Sequence, residues 1–364
     1  RGRSAIGFSG DIPGKMEAAV EFNHFLSSYY PDTSYGADRH YADMLEQAVA
    51  AERLGYASVS IPEHHLMNIL MNPAPLQMAI KVAGETRRIK IITSVVQLPL
   101  HDMRTYAGEV VLAELFTDGR LILGVGRGAF AVEMERMAAP IEESREKFDE
   151  SLNVLQALLG QENVSWSGKY YNFDALTVMP RPVRPVQLMM AALSPPAIYH
   201  STLRGFHIQT TPLMDSNEKM LEQIGAFYKA KDELGDAGKH LTISLSRVCW
   251  LAKDEADKRA KLELANDYYA RFDNVFTGPG EIESGAIARL PRTQTLEELE
   301  QNLLICTRDE FIDQLAVYEE AGVDELILSQ NIGTPNQETL DNMQSIAEEV
   351  MPRFSKLGKI EAAE

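Results

Sequence analysis

The feature that most constrains this chain is an alternation of two kinds of segment. Short apolar or β-branched runs recur along it, each followed by a stretch whose apolar residues keep helical spacing. Tyr41, Met44, Leu45, Ala48, Ala51 and Leu54 repeat at the period of an amphipathic helix, with Asp38 as its expected N-cap and Gly55 as its stop. "YASVSI" (56–61) then reads as a strand, Pro75 opens a helix over 75–87, and "RIKIITSVVQL" (88–98) is β-branched and strand-like. A helix over 103–117 and the turn "DGR" lead to the strand "LILGVG" (121–126). The series continues with a helix over 142–160, the strand "VQLMMAA" (186–192), a helix over 196–204 and the strand "FHIQTT" (206–211). It ends with helix 216–235, strand "LTISLSRVCWLA" (241–252), helix 308–321, strand "VDELILS" (323–329) and helix 337–350. Adding an early strand in "AAVEFNHF" (18–25) gives eight strands separated by helices. Eight such units in one chain favour an α/β fold of a single closed (β/α)8 barrel, a TIM barrel, over an open sheet.

No Pro/Gly/Ser-rich linker divides the series, so the barrel is expected to occupy 18–352 as one domain. Residues 1–17, polar and Gly-rich, read as a poorly ordered leader, and 353–364 as a C-terminal tail. Two stretches exceed a bare barrel. "NVSWSGKYYNF" (163–173) reads as an inserted hairpin. Residues 265–300, with Gly278, Gly280 and Gly285, read as loop-like and too long for an ordinary connection, hence as a mobile lid. The net charge of -18 would repel phosphates and argues against nucleic acid. No run approaches the roughly 20 apolar residues of a membrane span. Cys249 and Cys306 are the only cysteines and form no CxxC pair, so neither a disulfide frame nor a structural metal is expected. These features fit a cytoplasmic enzyme.

In such barrels chemistry is done at the C-terminal ends of the strands. Glu63, His64 and His65 follow the second strand there without a spacer. Packing and carbonyl capping could account for one histidine each, but a carboxylate and two imidazoles together are costly in a core and useful in a site. Gly124, Gly126 and Gly128 flank Arg127 after the fourth strand, letting a backbone approach a ligand beside a bidentate anion donor. Arg145 could add a second positive charge, or could pair with Glu142 or Glu146 on a solvated face. The amides of Leu193 and Ser194, before a helix opened by Pro195-Pro196, suit a phosphate at a helix N-terminus. Phe130, Met134, Met137, Trp166, Tyr170, Tyr171 and Phe173 could line an apolar pocket or belong to the core.

The run "EHH", the "LPL" at 98–100, "DGRLILGVGRG" (118–128) and "EESREKFDESLNVLQALL" (142–159) together resemble the bacterial luciferase-like flavin monooxygenases. The resemblance spans about 38–350 and is strongest over 50–160. It implies a barrel that takes reduced FMN from a separate flavin reductase and activates O2 through a flavin C4a-peroxide, to oxygenate a small hydrophobic substrate such as an aldehyde, ketone, terpene or aromatic. It also implies a homodimer. Carried over by position, His64 matches the active-site histidine, with Glu63 and His65 beside it. Ser94 and Val95 match a non-proline cis peptide beneath the flavin ring, and Arg127, Arg145, Leu193 and Ser194 match the phosphate-binding set. Gly126 stands where the luciferase subunit has a reactive cysteine, and Asp102, with His101 adjacent, where it has a histidine. Relatives with the same barrel use a deazaflavin for hydride transfer. A metal-dependent barrel hydrolase built on His64, His65, His207 and Asp324 is a further alternative.

Overall fold

β1 (Glu21–Phe25), β2 (Ser58–Ile61), β3 (Lys90–Thr93), β4 (Val96–Gln97), β5 (Leu121–Gly126), β6 (Val164–Ser167), β7 (Asn172–Leu176), β8 (Gln187–Ala191), β9 (His207–Thr210), β10 (Ile243–Ala252), β11 (Ile282–Glu283), β12 (Ala286–Ile287), β13 (Leu304–Thr307) and β14 (Glu325–Ser329) are the strands of a computed structural model that describes residues 19–354. The expected leader and all of the expected tail beyond residue 354 lie outside those residues. Between the strands run α1 (Ala37–Leu54), α2 (Pro75–Glu85), α3 (Met103–Phe116), α4 (Ala131–Arg136), α5 (Ile141–Gly160), α6 (Pro195–Leu203), α7 (Asn217–Leu234), α8 (Glu255–Phe276), α9 (Leu296–Asn302), α10 (Arg308–Ala321) and α11 (Asn336–Glu349).

Eight strands pair in parallel in the ring order β1, β2, β3, β5, β8, β9, β10, β14, and the β14–β1 pairing closes it. Helices cover the outside, so the strands are buried on both faces and lack a polar alternation. β2, β5 and β14 are buried at every position. The inward face is polar on one side, where Asn23, Ser58 and Ser244 hydrogen-bond around Glu325. On the other side Ile92, Ile122 and Met189 form an apolar cluster.

Four details differ from the sequence reading. Gly36, with a positive φ of 95°, occupies the α1 N-cap, and Asp38 falls in the first turn. The run 88–98 is not one strand: the non-proline cis peptide that the resemblance implied at Ser94–Val95 is present and separates β3 from β4, and Leu98–Leu100 form a 3-10 turn. The inserted hairpin is the antiparallel pair β6–β7, extending to Leu176. The largest difference is at 265–300, which is not loop-like throughout. Its first part is the end of the 22-residue helix α8, where Leu262, Ala265, Tyr269 and Phe272 bury one stripe. Its last part enters α9, and β13, a strand absent from the reading, pairs with the upper half of β10 at Cys249–Ala252. Only 277–295 is irregular, and it contains the two-residue pair β11–β12. Among the described residues no helix is long and apolar enough to cross a membrane.

Candidate active site

Four neighbouring strands of the ring, β2, β3, β5 and β8, deliver the expected residues to the C-terminal mouth in succession. Glu63, His64 and His65 leave β2, the Ser94–Val95 peptide leaves β3, Arg127 leaves β5, and Leu193 and Ser194 leave β8. After the histidines the chain turns through Leu66 and Leu70, both at positive φ, a conformation unfavourable for such side chains. That turn lets His64 form an isolated bridge with Asn72.

Two fully buried carboxylates organise the histidines. Glu63 Oε1 lies 2.9 Å from His65 Nε2 and 2.7 Å from His101 Nε2, while its Oε2 accepts the Gln97 amide at 2.7 Å. Burial alone would raise the Glu63 carboxyl, but the hydrogen bonds from His101 and His65, the His101 charge and the Gln97 amide outweigh it and hold the group below the usual carboxylate range. The hydrogen bond to Glu63 correspondingly raises His65 above its ordinary value against the opposing effect of burial. The second carboxylate is Glu133, on α4. Its Oε2 lies 2.7 Å from His64 Nδ1 and 3.2 Å from Gln97 Nε2, and its Oε1 accepts the His65 backbone amide. Gln97 bridges the two halves, since its side-chain nitrogen also donates to the Glu63 carbonyl at 2.8 Å. The His64 ring stacks on Phe130 with centroids 4.3 Å apart, and Phe130 packs edge-on against Phe272 and Phe276 of α8. The aromatic stripe of α8 thus forms the apolar wall beside the histidine.

Sequence reading missed Glu133 and Gln97, and it noted His101 only as a neighbour of Asp102. Asp102 itself caps α3 and pairs with Arg104, while His101 reaches the network. The one available signal for Glu133 was a carboxylate set between Val132 and Met134 just after Phe130, in a short segment that follows Arg127.

The arginine end differs in character. Neither Arg127 nor Arg145 has an ion-pair or hydrogen-bond partner among the described residues, so Glu142 and Glu146 do not neutralise Arg145. Glu146 is engaged by Lys169 instead. Partial burial, then repulsion from Arg145, lowers the pKa of the Arg127 guanidinium. The two cations are near enough for their charges to interact, and neither is paired with a carboxylate among the described residues. Ser194 caps α6 by accepting from the Ala197 amide at 3.4 Å, and Gln223 holds the Leu193 carbonyl at 2.7 Å. Between the two ends, β3 and the segment after it pack directly on the glycines of β5. A Cβ on Gly124 would stand 1.9 Å from the Thr93 carbonyl oxygen, and one on Gly126 would stand 2.6 Å from Val95 Cγ2. The Ser94 hydroxyl is buried there without a partner.

Several expected groupings are not assembled. His207 begins β9 and Asp324 immediately precedes β14, at the opposite end of the barrel from His64 and His65, and Asp324 accepts the Ile243 amide. The four residues of the hydrolase alternative therefore do not converge. Of the candidate lining residues, Phe130 and Met134 are buried at the site, whereas Trp166, Tyr170, Tyr171 and Phe173 pack on the main core around the β6–β7 hairpin. A cavity of about 350 Å³ opens between the loops after β1 and β14, against α1, with Tyr29, His40, Asp43 and Asn331 in its walls. It includes neither His64 nor Arg127. That cavity lies at the same end of the barrel, and it is the convergence of titratable groups beside it that makes the candidate site.

A family profile described as luciferase-like monooxygenase matches residues 20–325. The chain is 27% identical to the oxygenase component of a flavin-dependent trigonelline monooxygenase from Acinetobacter baylyi, over 87% of this chain and 90% of that one. It is 25% identical to an F420-dependent glucose-6-phosphate dehydrogenase from Amycolatopsis mediterranei, over 87% and 95%. Its fold superimposes with a TM-score of 0.74 on the oxygenating constituent of 3,6-diketocamphane monooxygenase from Pseudomonas putida in complex with FMN, at 17% identity over 93% and 99%.

Proposed function

The chain belongs to the luciferase-like monooxygenase family, and from that premise we propose that it is the oxygenase of a two-component system, using reduced FMN and O2 to oxygenate a small hydrophobic substrate. The observation that carries the reading is the pair Arg127 and Arg145. Two neighbouring cations with no carboxylate paired to them among the described residues, at the mouth of a barrel, suit a phosphate. The name of the Acinetobacter relative, an oxygenase component, supports a separate reductase. A homodimer and a cytoplasmic location remain parts of this proposal.

The residues at the mouth fit FMN on grounds of their own. Arg127 and Arg145 would hold the phosphate, with the Leu193–Ser194 turn beside them. The Ser94–Val95 peptide, packed closely on Gly126, would support a flat ring, and the partnerless Ser94 hydroxyl would gain a hydrogen-bond partner. Reduced FMN bound there supplies the electrons that O2 needs. The rest is the work of this chain. Phe130, Phe272 and Phe276 exclude water from the space beside His64. His64, with Glu133 on Nδ1, takes or holds a proton at Nε2. Glu63 and His65 fix the loop from which His64 projects.

The Amycolatopsis relative favours a second reading, hydride transfer with a deazaflavin. One experiment decides between them. The purified protein is given chemically reduced FMN or reduced F420, a panel of ketones, aldehydes, terpenes and aromatics, and isotopically labelled O2. Product carrying one labelled oxygen atom, formed with FMN alone, is expected. Turnover with F420 and no incorporated label would overturn the monooxygenase assignment.

A further inference from the structure

Glu133 meets His64 at Nδ1, and its other partners say where the proton between the two groups lies. It is fully buried on the six-residue helix α4, and no lysine or arginine pairs with it among the described residues. A buried carboxylate in that position is expensive unless several donors satisfy it. Three donors do so here: the His65 backbone amide on Oε1, and His64 Nδ1 and Gln97 Nε2 on Oε2. Because a backbone amide can only donate, Oε1 must accept. The Gln97 nitrogen also faces the Glu63 carbonyl, which fixes that amide group as a donor and leaves Oε2 accepting as well. Both oxygens being acceptors, the proton between Glu133 and His64 belongs on His64 Nδ1.

We propose that Glu133 is the positioning residue of a carboxylate–imidazole dyad, holding His64 as its Nδ1–H tautomer so that Nε2 is the proton-accepting atom. The proposal rests on the reading above in that it makes His64 the acid–base group. Stacking on Phe130 fixes the plane of the ring and the carboxylate fixes its rotation, so Nε2 has a single direction in which to work. When Nε2 takes a proton, the charge on the ring lies 2.7 Å from Glu133 Oε2. Arg127, Phe130 and Glu133 fall within seven residues, so one segment would carry both the anion site and the dyad.

The test needs no flavin. Ring 15N shifts of His64 in the full chain, assigned by their loss in His64→Asn, report which nitrogen carries hydrogen. The wild type is expected to show Nδ1–H, and a dominant Nε2–H signal would overturn the dyad without recourse to any variant. In Glu133→Gln the side-chain oxygen must still serve the His65 amide, which sets the NH2 opposite His64 Nδ1. The tautomer should therefore invert to Nε2–H, and Glu133→Asp should restore part of the Nδ1–H signal. With reduced FMN and a productive substrate, Glu133→Gln should lose about a hundredfold in kcat with KM little changed. Full kcat with an inverted tautomer would also refute the proposal. The spectra stand apart from turnover, so a wild type that oxygenates nothing refutes the flavin reading while the tautomer still decides the dyad.

Discussion

Arg127 and Arg145 are like charges near each other, and neither is paired with a carboxylate among the described residues; the phosphate proposed above would neutralise both. Arg145→Ala should accordingly act in opposite directions on the two states. Without flavin the variant should melt no lower than wild type, because the change removes repulsion from Arg127 and breaks no ion pair. FMN binding should weaken about ten- to a hundredfold, the loss of one charge-assisted hydrogen bond to a partly desolvated phosphate, while riboflavin binding stays within about twofold. Calorimetry with both ligands checks this, and equal losses for the two would remove the phosphate from the site. Residues of this kind were legible because they sit in contiguous runs at strand ends: "EHH" in one place, "GVGRG" in another. Glu133 was not. It meets His64 across 69 positions of sequence, and its six-residue segment reads by itself as an ordinary surface turn of helix. Only the fold supplies the partner that gives that carboxylate a meaning.

Elements show the same division between pattern and context. Runs of apolar and β-branched residues between helical stretches made all eight barrel strands stand out, whereas the Ser94–Val95 break followed only from the family resemblance and not from the pattern of a continuous β-branched run. The misreading of 265–300 has a physical cause. Gly278, Pro279 and Gly280 punctuate the sequence strongly, and their influence spread over the end of α8, whose stripe of Leu262, Ala265, Tyr269 and Phe272 was sufficient for a helix. The true irregular segment, 277–295, is also better anchored than its composition implies. Asn274, fully buried at the end of α8, donates to the Glu281 and Ala288 carbonyls and accepts the Glu281 amide. Arg292 pairs with Asp273, Arg289 with Asp267, and the Ile287 amide reaches Asn68. Asn274→Ala would leave the Ala288 carbonyl and the Glu281 amide without these partners, at roughly 1–3 kcal/mol for each that stays dry, while the Glu281 carbonyl keeps the Ala288 amide. The segment should then open while the barrel stays folded. Trypsin should cut the variant after Arg289 and Arg292 much faster than wild type, and cutting after Arg271, which lies within α8, should not lead. An unchanged cutting pattern would show that the side chain of Asn274 does not hold the segment.

At the scale of the whole molecule, closure of the barrel forces a polar residue into a place that water does not reach. Glu325 opens β14 on the inward face and hydrogen-bonds with Ser58, Ser244 and Asn23, contributed by β2, β10 and β1. From sequence alone "VDELILS" shows a strand, but which of its residues face the axis follows only from the ring order. Burial raises the Glu325 carboxyl above its ordinary value, the hydrogen bonds from Ser58 and Ser244 oppose this, and the nearby Glu21 charge adds to it. The sign of the consequence is set by that direction. A folded-state pKa above the unfolded one contributes stability that is complete below the unfolded value, near 4.5, and is lost as pH rises through the folded value. Glu325→Gln keeps the shape and cannot ionise, so it lacks that loss. Denaturant unfolding of both proteins from about pH 4 to about pH 9 should show a difference in their stabilities that shifts in favour of the variant once pH exceeds about 4.5, then levels off above the folded pKa. A difference that stays flat across the range would mean that Glu325 titrates normally, and one that shifts toward the wild type would mean that the carboxylate, not the acid, is the form the barrel was built around.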